Sequence, residues 1–332
     1  MTETLFLTSD DVAGLATPAE YVDRVADGYR QRGAGAPTEP RTALFADDPA
    51  GMLTSYSAIL PDDGYMGGYS YSAGFGAGDA WFMTPLFDAD SGEPLALLDG
   101  ASMNPFKTGA TGAVAVDALA REDAETVGLI GSGAQARGQL RATATVRELA
   151  AVDVYSPTKA HREEFADEMT ETLGVDVTAV ESSAAAVADA DIVITATTAS
   201  EPVFDGEQLA PGTHVTAMGQ YNPTKRELDT TTIERSTYVP DLRDRATQDA
   251  GALLHAIDAG VVDESHIHAE LGDIVAGTAE GRTSDEEITV FDSGGTAIET
   301  VAAAGMLYER ARDQGLGSTI EFAPASDALT GK

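Results

Sequence analysis

The chain has 332 residues, 43% of them hydrophobic, and no cysteine, so it can bury the cores of two domains and carries neither disulfides nor thiolate chemistry. Fifty-five acidic residues stand against twenty basic ones, a net charge of −35; there is no basic patch for nucleic acid and no apolar run of membrane-spanning length. Only four of the cations are lysines, at 107, 159, 225 and 332. Self-repulsion on this scale is screened at molar salt, where the Debye length is about 3 Å, so the composition points to a folded, halophilic protein of a haloarchaeal type of cytoplasm. The opening Met1-Thr2-Glu3-Thr4 has neither the basic region nor the apolar core of a signal peptide.

Taken in chain order, a strand is predicted over 4–7 and a helix opening at Ser9, then a second helix over 21–32 after the start signal Thr17-Pro18. From 41 to 98 the pattern changes to short alternating runs (52–60, 67–75, 81–87) broken by Gly, Asp and Pro, with Asp90-Ser91-Gly92 as a turn. This predicts an antiparallel sheet. The Ala-rich stretch 109–120 predicts a helix. Beyond it strands over 126–130, 152–155, 175–180, 191–195, 214–218 and 237–239 alternate with helices over 134–149, 161–172 and 183–188. Such alternation predicts an α/β fold with a Rossmann-type, doubly wound parallel sheet. A last strong helix is predicted over 295–312, and the acidic residues are dispersed rather than gathered into a tail.

The strand 127–130 runs straight into Gly131-Ser132-Gly133-Ala134-Gln135-Ala136, which opens the next helix. Gly131 permits the tight turn, Gly133 lets the backbone approach a pyrophosphate, and Ala136 is small enough for close helix–strand packing. The helix start at Ala134 and Gln135 supplies N–H donors and a positive dipole. In this strand–turn–helix context the pattern predicts a site for NAD(H) or NADP(H). An NAD site usually places an acid at the end of the second strand, against the ribose 2′-hydroxyl. Here that strand runs out through Tyr155-Ser156-Pro157-Thr158-Lys159. Ser156, Thr158 and Lys159, with Arg162 nearby, offer hydroxyl and cationic partners to a 2′-phosphate, which favours NADP(H) over NAD(H); the other reading of these residues is an ordinary turn and first helical turn.

Around this loop the chain resembles the ornithine cyclodeaminase/mu-crystallin family, which includes archaeal alanine dehydrogenases and ketimine reductases. The resemblance rests on Pro40-Arg41-Thr42, the run from Asp90 to Ala96, Lys107-Thr108-Gly109-Ala110, Gly131 to Ala136, and Ala190-Asp191-Ile192-Val193 through Thr195 and Thr197. It continues in Pro211-Gly212-Thr213-His214, Arg226-Glu227-Leu228-Asp229, Glu270-Leu271-Gly272-Asp273 and Glu287-Ile288-Thr289-Val290-Phe291. It implies a homodimer, and the absence of cysteine fits a reducing cytoplasm. Residues 1–112 with 300–332 would form an α+β substrate-binding and dimerisation domain, and 113–299 the dinucleotide domain. It also adds Thr195, Thr197, Gly219, Ser293 and Gly294 to the cofactor residues.

The family acts at the α-carbon of an amino or imino acid, which requires a cation for the substrate carboxylate and a proton donor or acceptor near the α-nitrogen. Arg41 matches the family's carboxylate-binding arginine. Lys107 stands where most relatives have arginine, keeping the charge without the bidentate fork. The family lysine falls at Tyr69 and the cyclodeaminase aspartate at Tyr221, while Glu299 replaces a common Asp. Tyrosine is a poor base at neutral pH but a usable hydrogen-bond donor to an imine nitrogen. Tyr69 and Tyr221 therefore either handle the proton or only fill space.

Three activities follow from this pattern: an NAD(P)-dependent imino-acid reductase or amino-acid dehydrogenase, an ornithine cyclodeaminase using bound NAD catalytically, and a non-enzymatic dinucleotide-binding protein. No metal site is expected. His266-x-His268 lacks flanking ligands of recognised spacing and reads as a surface loop. His214 reads as structural or near the cofactor, ahead of a strand, and Asp292 to Thr296 as a loop entering the last helix.

Overall fold

The computed structural model describes residues 2–330. In chain order the elements are β1 (Thr2–Leu7), α1 (Ser9–Val12), α2 (Pro18–Gly33), β2 (Thr42–Asp47), β3 (Ala50–Leu60), β4 (Tyr65–Gly74), β5 (Asp79–Asp88), β6 (Pro94–Asp99) and α3 (Asn104–Leu119). There follow β7 (Thr126–Ile130), α4 (Ala134–Val146), β8 (Ala151–Tyr155), α5 (Lys159–Leu173), β9 (Asp176–Ala179), α6 (Ser183–Val187), β10 (Ile192–Thr195) and β11 (His214–Ala217). The last part holds α7 (Thr230–Glu234), β12 (Ser236–Pro240), α8 (Arg243–Asp249), α9 (Gly251–Asp258), α10 (Leu271–Val275), β13 (Ile288–Asp292), α11 (Ala297–Gln314), β14 (Ser318–Phe322) and α12 (Ala325–Thr330). The chain divides into a first unit that runs to Lys107 and resumes at Thr296, and a second unit over Thr108–Gly295. These seams fall a few residues before the expected ones at 112/113 and 299/300.

The first unit is built on a sheet in the order β14-β1-β6-β5-β4-β3-β2, antiparallel except where β1 lies parallel to β6. Period-two alternation decides its faces: Thr54, Tyr56, Ala58 and Leu60 of β3 are buried, and the residues between them are exposed. In register with them, Tyr69 lies opposite Tyr56 and Tyr71 opposite Thr54 on β4, with Phe82 of β5 opposite Tyr71. The buried face carries α11, whose start is fixed by a capping box between Thr296 and Glu299. A second capping box, Thr17 with Glu20 and Pro18 in the first turn, starts α2, which packs on α11.

The second unit is a parallel sheet in the order β12-β13-β11-β10-β7-β8-β9. Its two faces are covered by separate apolar clusters, one around Leu140, Phe165 and Met169, the other around Leu209, Ile233 and Leu253. The strand order reverses between β7 and β10, and a doubly wound sheet opens its ligand crevice at the carboxyl ends of such strands.

The predicted series of strands omitted β13. Its five residues are all buried, so the run carries no period-two signal, and although it comes last in the sheet's sequence it inserts between β11 and β12. Also unpredicted are α7, α8, α9, α10 and α12, which are short, and β14, whose mostly exposed residues give no alternation but which pairs with β1. α3 begins five residues earlier than expected, at Asn104-Pro105, and α4 ends at Val146 because Arg147 adopts an extended conformation. His214 is the first residue of β11 rather than a residue ahead of it.

Candidate active site

In the second unit the chain leaves β7 through Gly131, whose φ is +123° and whose N–H donates to Tyr155 O at 2.8 Å. A Cβ there would lie 2.4 Å from Ala196 O, just past the end of β10, so the two strands at the switch point approach closely only because residue 131 has no side chain. Gly133 caps α4 in an extended conformation with no side-chain bond to the helix's first N–H groups, and a Cβ on it would meet nothing within 4 Å. Ala136 is fully buried against the sheet. Gln135 Oε1 is buried without a hydrogen-bond partner among the described residues. Arg137 fastens the turn, donating to Ser132 O at 2.6 Å while pairing with Glu168. Free N–H donors at a helix start, an open glycine and an orphaned acceptor fit a dinucleotide, whose pyrophosphate takes donors and whose riboses bring hydroxyls.

At the tip of β8, Ser156 is buried and its Oγ accepts from Ser132 Oγ at 3.0 Å. Thr158 caps α5 without a side-chain bond, and Lys159 is largely exposed, 3.6 Å from Glu163. Arg162 is committed elsewhere: it donates to Ser156 O at 3.1 Å and to Glu181 at 2.7 Å.

The Thr195, Thr197 and Gly219 positions are brought together by a residue that sequence reasoning quoted only as part of a pattern. Glu227, 2% exposed, accepts from Thr195 Oγ1 at 3.0 Å, Thr197 N at 2.7 Å and Gly219 N at 2.7 Å. Burial raises its pKa against the pull of these donors. Ser293 and Gly294 are organised in the same way by Asp241 at the end of β12. Its Oδ2 accepts from Ser293 Oγ at 3.2 Å, Gly294 N at 2.9 Å and Gly295 N at 3.1 Å, and its Oδ1 from Arg245 Nε at 2.7 Å. Neither carboxylate was picked out beforehand, because most of their partners, backbone N–H groups and hydroxyls alike, come from segments distant in sequence. Tyr221 stands between β11 and α7, 38% exposed.

The first unit gathers the other predicted residues on the buried face of its sheet. Lys107, 2% exposed, holds its Nζ 3.6 Å from Glu299 Oε1 and 4.9 Å from the centroid of the Tyr69 ring. Arg41 lies over the Tyr56 ring at 5.7 Å, and its charge reaches Lys107. Burial lowers the Lys107 pKa, and the Glu299 carboxylate opposes that shift. The Tyr69 ring stacks on Phe82 and tilts against Tyr56 and Tyr71, while its hydroxyl reaches Gly100 O at 3.4 Å. Burial drives the Tyr69 pKa far above its ordinary value, so the phenol is a neutral hydrogen-bond donor at any working pH. The aromatic wall of Tyr56, Tyr71 and Phe82 was not anticipated, although the spacing of Tyr69 and Tyr71 on one strand face carried the signal. Tyr69 and Tyr221 belong to different units.

Three of the five histidines are held by named partners. His214 bridges Thr289 and Thr216, His266 Nε2 lies 2.7 Å from Ile233 O, and His268 Nε2 lies 2.8 Å from Glu280 O. Among the described residues no group of three side chains could hold a metal ion, and no helix is long and apolar enough to cross a membrane.

A doubly wound sheet with a glycine turn at its switch point, in one chain with a unit that holds a buried lysine beside an arginine, defines a dinucleotide-binding oxidoreductase architecture. The chain belongs to the Ornithine cyclodeaminase/mu-crystallin family, whose profile matches residues 2–315. A Delta(1)-pyrroline-2-carboxylate reductase of Bacillus cereus is 40% identical over 238 residues, 71% of this chain and 73% of that one. The Thermococcus litoralis Delta(1)-pyrroline-2-carboxylate reductase, in complex with NADH and L-proline, matches with a TM-score of 0.91 at 34% identity, over 96% of this chain and 100% of the other. An archaeal alanine dehydrogenase dimer with bound NAD also matches at a TM-score of 0.91, with 32% identity over 97% of this chain and 100% of that one.

Proposed function

We propose that the protein reduces a cyclic α-imino acid to the corresponding amino acid, with Arg41 and Lys107 binding the substrate carboxylate. The chain is an enzyme of its family, an NAD(P)-dependent oxidoreductase working at the α-carbon of an amino or imino acid. The observation that carries the finer reading is the buried Lys107 beside Arg41 and a wall of Tyr56, Tyr69, Tyr71 and Phe82. Two cations suit a carboxylate, and flat aromatic faces suit a small apolar ring. The nicotinamide supplies the hydride, and the imine nitrogen takes one proton. Tyr69 is buried and directed at Gly100 O, which leaves the more accessible Tyr221 as the better proton donor. Gly131, Gly133, Ala134, Gln135 and Ala136 would hold the pyrophosphate and adjoining ribose, and Thr195, Thr197, Gly219, Ser293 and Gly294 the nicotinamide half.

The test is steady-state reduction of Δ1-pyrroline-2-carboxylate in high salt, with Tyr221→Phe expected to lower kcat by about 100-fold. Release of ammonia from ornithine with no net change in nicotinamide absorbance would instead make the protein a cyclodeaminase. Cofactor binding without turnover of any amino or imino acid would leave it a binding protein.

We infer a preference for NADP(H), supported by the lack of an acid at the tip of β8 and by Thr158 and Lys159 at the start of α5. A higher kcat/KM with NADH than with NADPH would overturn it. We also propose a homodimer through the outer face of the first sheet. Leu44, Leu53, Trp81 and Met83 project from that face at 66, 47, 66 and 57% exposure, beside a groove of about 700 Å³ lined by Ile59, Met66 and Phe87. Such a patch marks an interaction surface. Sedimentation equilibrium should give a dimer that Trp81→Glu dissociates; a monomeric wild type contradicts the assignment.

A further inference from the structure

We propose that Glu299 is a positioning residue for Lys107, holding the ammonium charged and aimed within the carboxylate-binding cluster through a helix cap that is itself buried. The inference rests on the assignment of Lys107 to the substrate carboxylate. It starts from an unusual cap. Capping boxes are ordinarily surface features, as at Thr17 and Glu20 in this chain, where the bonds are exposed. At the start of α11 the same pattern is fully interior: Thr296 is 2% exposed and Glu299 is inaccessible.

The cap explains two contacts of the carboxylate. Thr296 N donates to Glu299 Oε1 at 2.7 Å, and Thr296 Oγ1 donates to Oε2. An aspartate or glutamate buried only to cap a helix would carry an uncompensated charge, which is costly away from water. A glutamine in this place would complete the same box. The charge of Glu299 is accounted for by Lys107, whose Nζ lies 3.6 Å from the oxygen that also accepts from Thr296 N. Because both oxygens are anchored on the helix start, the carboxylate cannot swing away. It fixes one side of the ammonium, and the face of the Tyr69 ring fixes another.

The charged and titratable groups facing Lys107 include Glu299 from α11, Tyr69 from β4 and Arg41 from the segment before β2. Tyr69 stays neutral, and Arg41 does not titrate in the working range. Of these groups, Glu299 alone favours the charged ammonium by Coulomb attraction; burial and Arg41 oppose it. Removing its charge while keeping its shape therefore moves the alkaline loss of carboxylate binding to lower pH.

The measurement is the inhibition constant of pyrrole-2-carboxylate against pyrroline-2-carboxylate reduction, followed from neutral to alkaline pH. This flat ring carboxylate stays ionised across that range, so the profile reads groups on the enzyme. Glu299→Gln is expected to bring the alkaline weakening at least about 1 pH unit lower than in the wild type, the scale on which a near opposite charge shifts a pKa. Its KM for the dinucleotide should stay as it was. Glu299→Asp keeps the charge and should restore the wild-type pH limb even if overall affinity falls. An unshifted limb in Glu299→Gln overturns the proposal, as does an equal shift in Glu299→Asp. If Glu299→Gln does not fold, Glu299→Met, which also removes the charge, takes its place, and an unshifted limb there overturns the proposal. Lys107→Gln separates the two readings: unchanged inhibitor affinity in that variant would remove the carboxylate assignment itself, whereas lost affinity there with an unshifted Glu299→Gln limb removes only the role of Glu299.

Discussion

Arg245 Nη1 lies 2.7 Å from Asp292 Oδ1, and both side chains are less than one-tenth exposed. The same guanidinium donates to Asp292 O at 2.6 Å and to Asp241 at 2.7 Å, with Asp249 at 3.4 Å. One cation thus holds three buried carboxylates, two of which shape the turn after β13. Burial raises the pKa of Asp292 despite the neighbouring guanidinium, which shows how much of the local balance depends on that cation. Arg245→Met leaves those acids without their cation, and breaking a buried pair from one side costs about 3–5 kcal/mol. Urea unfolding should show a loss of that size. An unchanged midpoint would mean that water already compensates the acids.

The glycine turn allows a cleaner separation of folding from binding. Gly131→Ala places a Cβ 2.4 Å from Ala196 O at φ +123°, and a strained conformation of this kind costs about 1–3 kcal/mol. Gly133→Ala meets nothing within 4 Å and has an ordinary φ of −86°. Its stability should therefore stay within about 0.5 kcal/mol of wild type. Its new methyl nevertheless stands where a pyrophosphate must approach the backbone, so the dissociation constant for NADH should rise by at least about 10-fold, or roughly 1.4 kcal/mol. Nicotinamide fluorescence and thermal melting on the two variants read both effects. Unimpaired cofactor binding in Gly133→Ala would count against the loop as the phosphate site.

What the sequence disclosed follows from how each element announces itself. The strand at 126–130, the glycine turn and the helix after it are local: each residue's role depends on its immediate neighbours, and the predicted strand limits are those of β7. Tyr69, Lys107 and Arg41 were legible as candidates because their residue types departed from, or matched, a family pattern. The carboxylates that organise the cofactor-side residues were not. Glu227 gathers Thr195 and Thr197 from 32 and 30 residues earlier, together with the nearer Gly219, and Asp241 reaches 53 residues to Gly294. A carboxylate that accepts from backbone N–H groups so far away leaves no periodic trace. β13 escaped for a related reason, since full burial on both faces erases the alternation by which a strand is recognised.

The charge of −35 carries its own prediction. Surface repulsion acts over about 10 Å at 0.1 M salt and about 3 Å at 1 M, so the melting temperature should climb as KCl is raised from the first concentration to the second and beyond. The acids paired with arginine, such as Asp191 with Arg121 and Glu20 with Arg310, lose some attraction over the same range, but the chain carries 55 acidic residues against only 20 basic ones. Scanning calorimetry across a KCl series checks the sign. A flat or falling curve would remove the case for a salt-rich cytoplasm.

His214 makes stability depend on pH through a fully buried group rather than through the acidic surface. It is fully buried, with Nδ1 2.9 Å from Thr289 Oγ1 and Nε2 3.0 Å from Thr216 Oγ1. Thr289 spends its own proton on Leu119 O at 3.0 Å, so it accepts from Nδ1–H, and Nε2 accepts from Thr216. The ring is thereby fixed as the neutral Nδ1–H tautomer, and a second proton would face the Thr216 hydroxyl in a fully buried site. Burial, with smaller contributions from Arg282 and Arg147, lowers the pKa to about 3. The unfolded chain's histidine titrates near 6.5. Because the folded value is the lower one, the neutral ring's contribution is fully present above about pH 6.5 and is lost as pH falls toward about 3. In that window the unfolded chain binds the proton and the folded one does not, at a slope approaching about 1.4 kcal/mol per pH unit. His214→Gln should be less stable than wild type at pH 7, where it breaks the two threonine bonds. The gap should narrow on acidification, since the variant has nothing to titrate there. Urea unfolding of both proteins at pH 7, 6 and 5 in the same molar KCl isolates the effect from the surface acids, which the two proteins share. Parallel stability curves across those three pH values would show that the ring takes up its proton as readily inside the fold as outside it.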